Sequence, residues 1–308
     1  MNTLVIVCPV ITMLLIGMFC KKAGILSRTG TDNIKSVITK FMLPTAVFHA
    51  LATADYSLNT WLMVGATFLM MALTFLVGFL LKPCMKEPYK KFVPFMVSVY
   101  EGGMIAYPLY TNLCGAENLS NIAVLDIAGC LFGFGIYMGL LQQVESDEKT
   151  NVKALAISAL KTPTFDASIL GVVAGVTGII KYVVDSPFGG VYLGIKDIIT
   201  ASLTAMILIV VGFDFEFKRE TLWLSVKTIF LRILVQGVFV LPMVWVAKIL
   251  FPGNFLMLIA VLTFMSAPAT FSMQSFIKDE TVNKYTATTN SLYVIVSVAV
   301  YTILATWV

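Results

Sequence analysis

Tyr100-Glu101-Gly102-Gly103-Met104-Ile105-Ala106-Tyr107-Pro108 lies in the middle of an apolar run, Phe92 to Cys114, that is long enough to cross a bilayer. It places an acid, two adjacent glycines and a proline where a lipid-facing helix should avoid all four. Glycine lowers helix propensity, and Pro108 lacks an N–H and blocks the carbonyl four residues earlier, that of Met104. In hydrocarbon such freed groups are costly unless protein or a watery cavity satisfies them. Broken transmembrane helices therefore belong where the backbone itself handles a substrate or ion.

The whole chain fits that setting. Of its 308 residues 58% are hydrophobic and 12% charged, and the mean hydropathy is +0.91. A soluble domain carries about twice that charge, so the composition is that of a polytopic membrane protein. The net charge of +4 comes from basic residues scattered through short loops, which argues against nucleic acid as a partner. The start, Met1-Asn2-Thr3-Leu4, has no basic n-region or cleavage site, so the first apolar run is expected to stay in the mature chain. Five cysteines, Cys8, Cys20, Cys84, Cys114 and Cys130, show no paired or metal-ligand spacing, and lone His49 has no partner at ligand distance in sequence; no metal site or cofactor is expected.

Ten apolar segments can be drawn, at roughly 3–20, 34–53, 59–81, 92–114, 120–143, 165–184, 193–213, 228–250, 255–277 and 285–306. Odd-numbered connections hold most basic residues: Lys21, Lys22 and Arg28; Lys82, Lys86, Lys90 and Lys91; Lys149, Lys153 and Lys161; Lys218, Arg219 and Lys227; Lys278 and Lys284. Even-numbered connections hold fewer: Lys181, Lys196 and Lys248. The positive-inside rule then places both termini outside and the basic loops in the cytoplasm, with no soluble domain.

Pro108 and Pro268 stand 160 residues apart, each inside a span with small or polar neighbours. Segments one to five and six to ten match in length at that offset, giving two units, 1–150 and 151–308. Because five is odd, the second unit would be inverted relative to the first. The expected fold is all-α, ten transmembrane helices as two inverted five-helix repeats whose broken fourth and ninth spans cross.

The second break is Phe264-Met265-Ser266-Ala267-Pro268-Ala269-Thr270, where Pro268 would free the Phe264 carbonyl. If the breaks cross at mid-membrane, two half-helix N-termini present unpaired N–H groups suited to a carboxylate. The bland alternative is a kink repaired by Ser266 or Thr270 back-bonding. The candidate substrate and ion site is thus Glu101, Gly102, Gly103 and Pro108 with Ser266, Ala267, Pro268, Ala269 and Thr270.

Glu101, at bilayer depth, must find a partner or take a proton, so it is read either as a proton or cation coupling group or as a structural hydrogen-bond acceptor. Asp126 faces the bundle interior or is solvated near the outer face. Arg232 snorkels to the cytoplasmic surface beside Lys227, or holds an anionic substrate. Asn290, Gln274, Gln236 and His49 line a cavity or bond helices together, and Pro44 makes a smaller break supporting the first crossing. Gly129, Gly133, Gly135 and Gly139, like Gly171 and Gly175, give small-xxx-small spacing for close helix packing or a homodimer face. No phosphate-binding Gly-Lys-Ser loop, His-Glu-x-x-His or nucleophile elbow is present, so no catalytic residue is assigned and no enzyme is expected.

With these residues in view, the chain resembles a short prokaryotic member of the auxin efflux carrier family over nearly its whole length. Gly17-Met18-Phe19-Cys20-Lys21-Lys22-Ala23-Gly24-Ile25-Leu26 resembles the end of that family's first span, and Leu43-Pro44 with Phe48 its second. Gly103 and Pro108 fit its Asn-x-Gly-x-x-Gly-x-Pro first crossover, and Ala267-Pro268 fits the second. Glu101 stands where the pattern has Asn, Ala106 stands where it has the second Gly, and the seventh span lacks a proline opposite Pro44. The resemblance implies a ten-helix, inverted-repeat secondary transporter of organic anions: auxin-like acids, or malate and malonate as in similar bacterial permeases, with protons or sodium as coupling ion. The long central loop of plant carriers is absent, which points to a bacterial inner membrane. Two other readings remain: a sodium-coupled organic-anion symporter of the bile-acid type, and a membrane ligand sensor that does not transport.

Overall fold

A computed structural model describes residues 3–146, 157, 159–160 and 162–308. Lys149, Lys153 and Lys161 of the third basic connection lie outside the described residues, as does most of the joint between the two proposed units. Among the described residues the chain is all helical, with no strand.

The first stretch is α1 (Thr3–Lys22). It is followed by α2 (Arg28–Val37), a π turn (Ile38–Met42) and α3 (Leu43–Ala52), which run without a gap. Then come α4 (Leu58–Leu80), α5 (Val93–Ser98), a π turn (Gly102–Ala106) and α6 (Tyr107–Cys114). The chain continues through α7 (Leu119–Phe132), a π turn (Gly133–Tyr137) and α8 (Met138–Ser146). Beyond the central joint lie α9 (Pro163–Thr177), α10 (Ile179–Asp185), α11 (Gly189–Thr200) and α12 (Leu203–Asp214). The last helices are α13 (Leu222–Leu250), α14 (Phe255–Met265) and α15 (Glu280–Leu304), with a short 3-10 turn (Phe271–Ser275) before α15.

Local chemistry sets these boundaries. Ser27, Ser57, Asn254 and Asp279 accept backbone N–H groups at the starts of α2, α4, α14 and α15, satisfying donors that a helix cannot pair internally. Gly178 takes the left-handed conformation (φ +69°), and α9 and α10 bend by 77° across it. The segment 165–184 is therefore sharply bent. Pro9 and Pro242, by contrast, lie inside α1 and α13 without breaking them.

Among the described residues six stretches are long and apolar enough to cross a membrane: 3–22, 58–80, 116–145, 189–214, 222–250 and 280–304; the bent pair α9–α10 makes up to seven. The other three expected segments are also helical in part. Segment 34–53 carries Lys35 and Lys40, and 92–114 and 255–277 are interrupted.

The distribution of side chains identifies the solvent. On α13 the buried face carries Ser225, Thr228, Arg232 and Gln236, while Trp223, Phe230, Leu234, Leu241 and Trp245 are exposed. A helix that hides polar groups and shows large apolar ones is the inverse of a soluble amphipathic helix, and it suits a hydrocarbon surround.

Two tight helix pairs frame the interior. In α1 against α12, a Cβ on Gly17 would meet the Ile209 carbonyl oxygen at 2.0 Å, and one on Gly212 the Leu14 carbonyl oxygen at 2.1 Å. In α3 against α9, a Cβ on Gly171 would lie 2.9 Å from the Phe48 carbonyl oxygen and from the Leu51 Cβ. Gly171 and Gly175 thus serve close packing, as their spacing suggests. Gly133 and Gly135 do not: nothing lies within 4 Å of a Cβ at either, and both fall in a π turn.

Candidate functional site

The fourth stretch opens between Ser98 and Gly102, and the ninth between Met265 and Phe271. The first opening thus lies several residues before Pro108, which sits instead in the first turn of α6, directly after the π turn. A π turn shifts the hydrogen-bond register by one residue, which accommodates a proline where an α ladder would lose a bond. At Pro268 the break coincides with the proline. The Phe264 carbonyl, expected to be free there, accepts the Ala267 N–H at 3.2 Å.

The two openings meet. The backbone N–H of Glu101 donates to the Pro268 carbonyl at 2.9 Å. The Glu101 side chain is buried and joins both chain ends that leave the breaks. Its Oε1 accepts the Met104 N–H at 3.2 Å, capping the π turn ahead of α6. Its Oε2 accepts the Phe271 N–H at 2.7 Å and the Thr270 hydroxyl at 3.4 Å, at the start of the 3-10 turn. One carboxylate therefore takes the N–H groups that follow both breaks. Charge-assisted bonds of this kind are worth roughly 1.5–3 kcal/mol each.

The carbonyls that precede the breaks go to Arg232, which is 2% exposed. Its Nη1 donates to the Met96 carbonyl at 2.6 Å, and its Nη2 to the carbonyls of Val99 at 2.9 Å and Ala267 at 2.8 Å. The guanidinium also lies near the rings of Tyr100 and Tyr293, 5.2 and 5.1 Å from their centroids. Arg232 neither snorkels nor presents a free guanidinium to a substrate; its planar fork bridges two helix C-termini, where cations are favoured. The amide of Gln236 donates to the Val97 carbonyl at 2.8 Å, and Tyr100 donates its hydroxyl to the Gln236 side chain. In the second break Ser297 donates to the Ser266 carbonyl at 2.6 Å. Ser266 itself back-bonds to the Thr263 carbonyl at 2.8 Å, the plain structural role open to it, and Ala267 and Ala269 are buried.

Gly102 and Asp126 account for each other. A Cβ on Gly102 would stand 2.6 Å from a carboxylate oxygen of Asp126, whose other contact there is the Tyr107 hydroxyl at 2.8 Å. Asp126 thus faces the bundle interior beside the first break rather than outer solvent. At Gly103 a Cβ would meet only the end of the Leu43 side chain, at 2.7 Å. Leu43 precedes Pro44, which starts α3 after its own π turn, so that irregularity does abut the first break.

A cavity of about 1000 Å³ reaches from the protein surface to this point. Its floor includes Glu101, Gly103, Met104 and Phe271, and its mouth includes Arg28, Lys278 and Lys284. Gln274 and Asn290 line it as well. Pro108 is on the far side, with Tyr107 and His49, in a separate cavity of about 80 Å³. His49 is paired through Nδ1 with the Tyr192 hydroxyl at 2.9 Å. At the mouth of the larger cavity Arg28 and Lys35 both pair with Asp214, joining α2 to α12.

Glu101, Gly102, Gly103, Asp126, Pro268 and Thr270 are thus brought together, with Gln274 and Asn290 on the same cavity; Arg232 and Ser266 are behind it. The residues that sequence reasoning missed are those acting through their backbone, Met104 and Phe271, together with Tyr107 and Ser297. Phe271 had one available signal, its place three residues after Pro268 at the start of the resuming chain.

No curated protein compared with this chain matches it significantly. A family model described as membrane transport protein matches residues 3–308. The chain belongs to this membrane transport protein family, that of the auxin efflux carriers.

Proposed function

We propose that this membrane transporter is a secondary active carrier of small organic anions, carboxylates such as malate or malonate or auxin-like acids, that works by alternating access and is coupled to protons. The observation that carries the reading is the pair of bonds from the N–H groups of Met104 and Phe271 to the Glu101 carboxylate. Donors arranged to hold one carboxylate can hold another of the same geometry. Protonation of Glu101 removes its charge and weakens its hold on both N–H groups, and a substrate carboxylate then takes them. For a monocarboxylate the charge at this position is then the same in either state, so the anion enters together with one proton; a dicarboxylate dianion adds a second negative charge that the proton on Glu101 does not offset. Asp126 on α7, bonded to the Tyr107 hydroxyl, is a second carboxylate beside Glu101, and Lys40 and Cys130 line the same cavity; Arg232 on α13 is committed to the carbonyls behind the breaks.

The same reading places ten spans in two inverted repeats, 1–150 and 151–308. Helix packing supports it: the first stretch packs on the seventh (α1 with α12) and the second on the sixth (α3 with α9), a reciprocal exchange between halves. Likewise α4 packs on α5 and α7, as α13 does on α14 and α15. The crossing of the fourth and ninth spans is the Glu101–Pro268 contact. The vestibule opens among basic residues, so the positive-inside rule makes it cytoplasmic and both termini external, in a bacterial inner membrane.

The test is uptake of labelled malate and malonate into proteoliposomes, with and without a proton gradient, by wild type and Glu101→Gln. The reading expects gradient-stimulated uptake that the variant loses. Uptake driven only by a sodium gradient would replace the proton with sodium, and binding without uptake would make the protein a sensor.

A further inference from the structure

Helices α4 and α13, one from each half of the chain, pack side by side. At one end the Asn59 amide donates to the Leu250 carbonyl at 2.8 Å; at the other, Leu81 and Leu224 pack on one small buried cluster around Met85 and Tyr285. The helices are therefore antiparallel, and the end of α4 meets the start of α13 between two basic loops. With 29 residues α13 is about 43 Å long, more than the ~30 Å hydrocarbon core, so its first turns reach the headgroup layer.

Two cations stand at this seam. Lys227 is on the exposed face of α13, one turn after Trp223 and three residues before Phe230, both of them exposed. A lysine on such a stripe is costly unless its ammonium reaches the headgroup layer or an anion. Lys82 follows the end of α4, and its Nζ sits 4.3 Å from the centroid of the exposed Phe79 ring. Among the described residues neither lysine has a carboxylate within ion-pair distance, whereas neighbouring lysines do: Lys90 pairs with Glu87 at 2.8 Å and Lys284 with Glu280 at 2.6 Å. Lys86, Lys218 and Arg219 add positive charge in the two loops, against Glu220. Trp223 is of the residue type that settles at a membrane–water boundary.

We propose that the α4–α13 seam binds the headgroup of an anionic phospholipid, with Lys82 and Lys227 as the cations for its phosphate and with Phe79 and Trp223 beside its upper acyl chains. Unpaired cations set at headgroup depth on an apolar surface match a ligand whose charge and tails are joined, which a free anion does not offer. Arg232 lies further along the same helix, so a lipid held at Lys227 steadies the helix that ties the two breaks together.

The experiment is native mass spectrometry of the detergent-solubilised full chain, titrated with dioleoyl phosphatidylglycerol or with dioleoyl phosphatidylcholine, which has the same tails and no net charge. Wild type should prefer phosphatidylglycerol. Lys82→Gln and Lys227→Gln should each weaken it about fivefold, and together about twentyfold, with phosphatidylcholine unchanged. Lys82→Arg with Lys227→Arg should keep the preference. So should Lys22→Gln with Lys278→Gln, which removes the same charge from the same side away from the seam. Phosphatidylglycerol should also raise the melting temperature of wild type and not of the double Gln variant. Equal binding of the two lipids by wild type overturns the proposal, as does an equal loss in the Lys22 and Lys278 variant, which would mean diffuse attraction. Displacement of the lipid by an equal concentration of inorganic phosphate overturns it in favour of a free-anion site. A change in oligomeric mass on Lys82→Gln with Lys227→Gln, with lipid preference intact, overturns it in favour of a contact between copies.

Discussion

The Glu101 carboxylate and the Arg232 guanidinium hold the same pair of chain breaks from opposite sides. Glu101 receives the N–H groups of Met104 and Phe271 where the chain resumes, and Arg232 donates to the carbonyls of Met96, Val99 and Ala267 around the points where it stops. Irregular backbone within a membrane protein is tolerable only when such groups are satisfied. The two charges therefore have different duties: Arg232 faces into the protein, and Glu101 stands on the cavity floor.

It follows that Arg232→Ala should fail in stability before it fails in function. Three buried carbonyls lose their donor, at about 1–3 kcal/mol for each left unsatisfied. Arg232→Lys should recover only part, since an ammonium lacks the planar fork that reaches two helix ends. Thermal unfolding followed by fluorescence-detected gel filtration checks both; a melting temperature unchanged in Arg232→Ala would contradict this role.

Adjacent glycines should differ. Gly102→Ala sets a methyl group against the Asp126 carboxylate at 2.6 Å, whereas Gly103→Ala asks only that the end of Leu43 move aside. Overpacking of this kind costs roughly 1–3 kcal/mol, so Gly102→Ala should lower the melting temperature more and reduce uptake more. Gly102→Ala combined with Asp126→Ala should recover stability. Equal tolerance of the two single changes would remove the argument.

Cys130 lines the vestibule. In a chain whose other cysteines are replaced by Ser, a membrane-impermeant maleimide should label Cys130 from the side bearing Arg28 and Lys278, and malate should slow the reaction. Labelling confined to the opposite side would contradict the placement of the vestibule.

The comparison of expectation with structure separates short-range from long-range information. That residues 100–108 interrupt a span was legible, because glycine, proline and a buried acid are local facts. Where the interruption opens was not: a π turn carries Pro108, and the chain parts at Val99–Glu101, where the carboxylate finds donors 170 residues away. Arg232 was misplaced for the same reason. Its distance from Lys227 suggested snorkelling, but its position is set by carbonyls on two other helices, which no local pattern reports. Gly171 and Gly175 were read correctly because close packing leaves a periodic trace. Asn290 was visible as a polar residue in a span, but its lack of a partner emerges only when every neighbour is in place.

The central claim is that a substrate carboxylate replaces Glu101 on the N–H groups of Met104 and Phe271. The most direct measurement is malate affinity, at acidic and at neutral pH, for wild type and Glu101→Gln. In wild type, affinity should rise as pH falls, because protonation of Glu101 frees the donors. In Glu101→Gln, which carries no competing charge, affinity should be high at both pH values and no longer depend on the proton. A variant that binds malate at neither pH, or that keeps the wild-type pH dependence, would contradict the account.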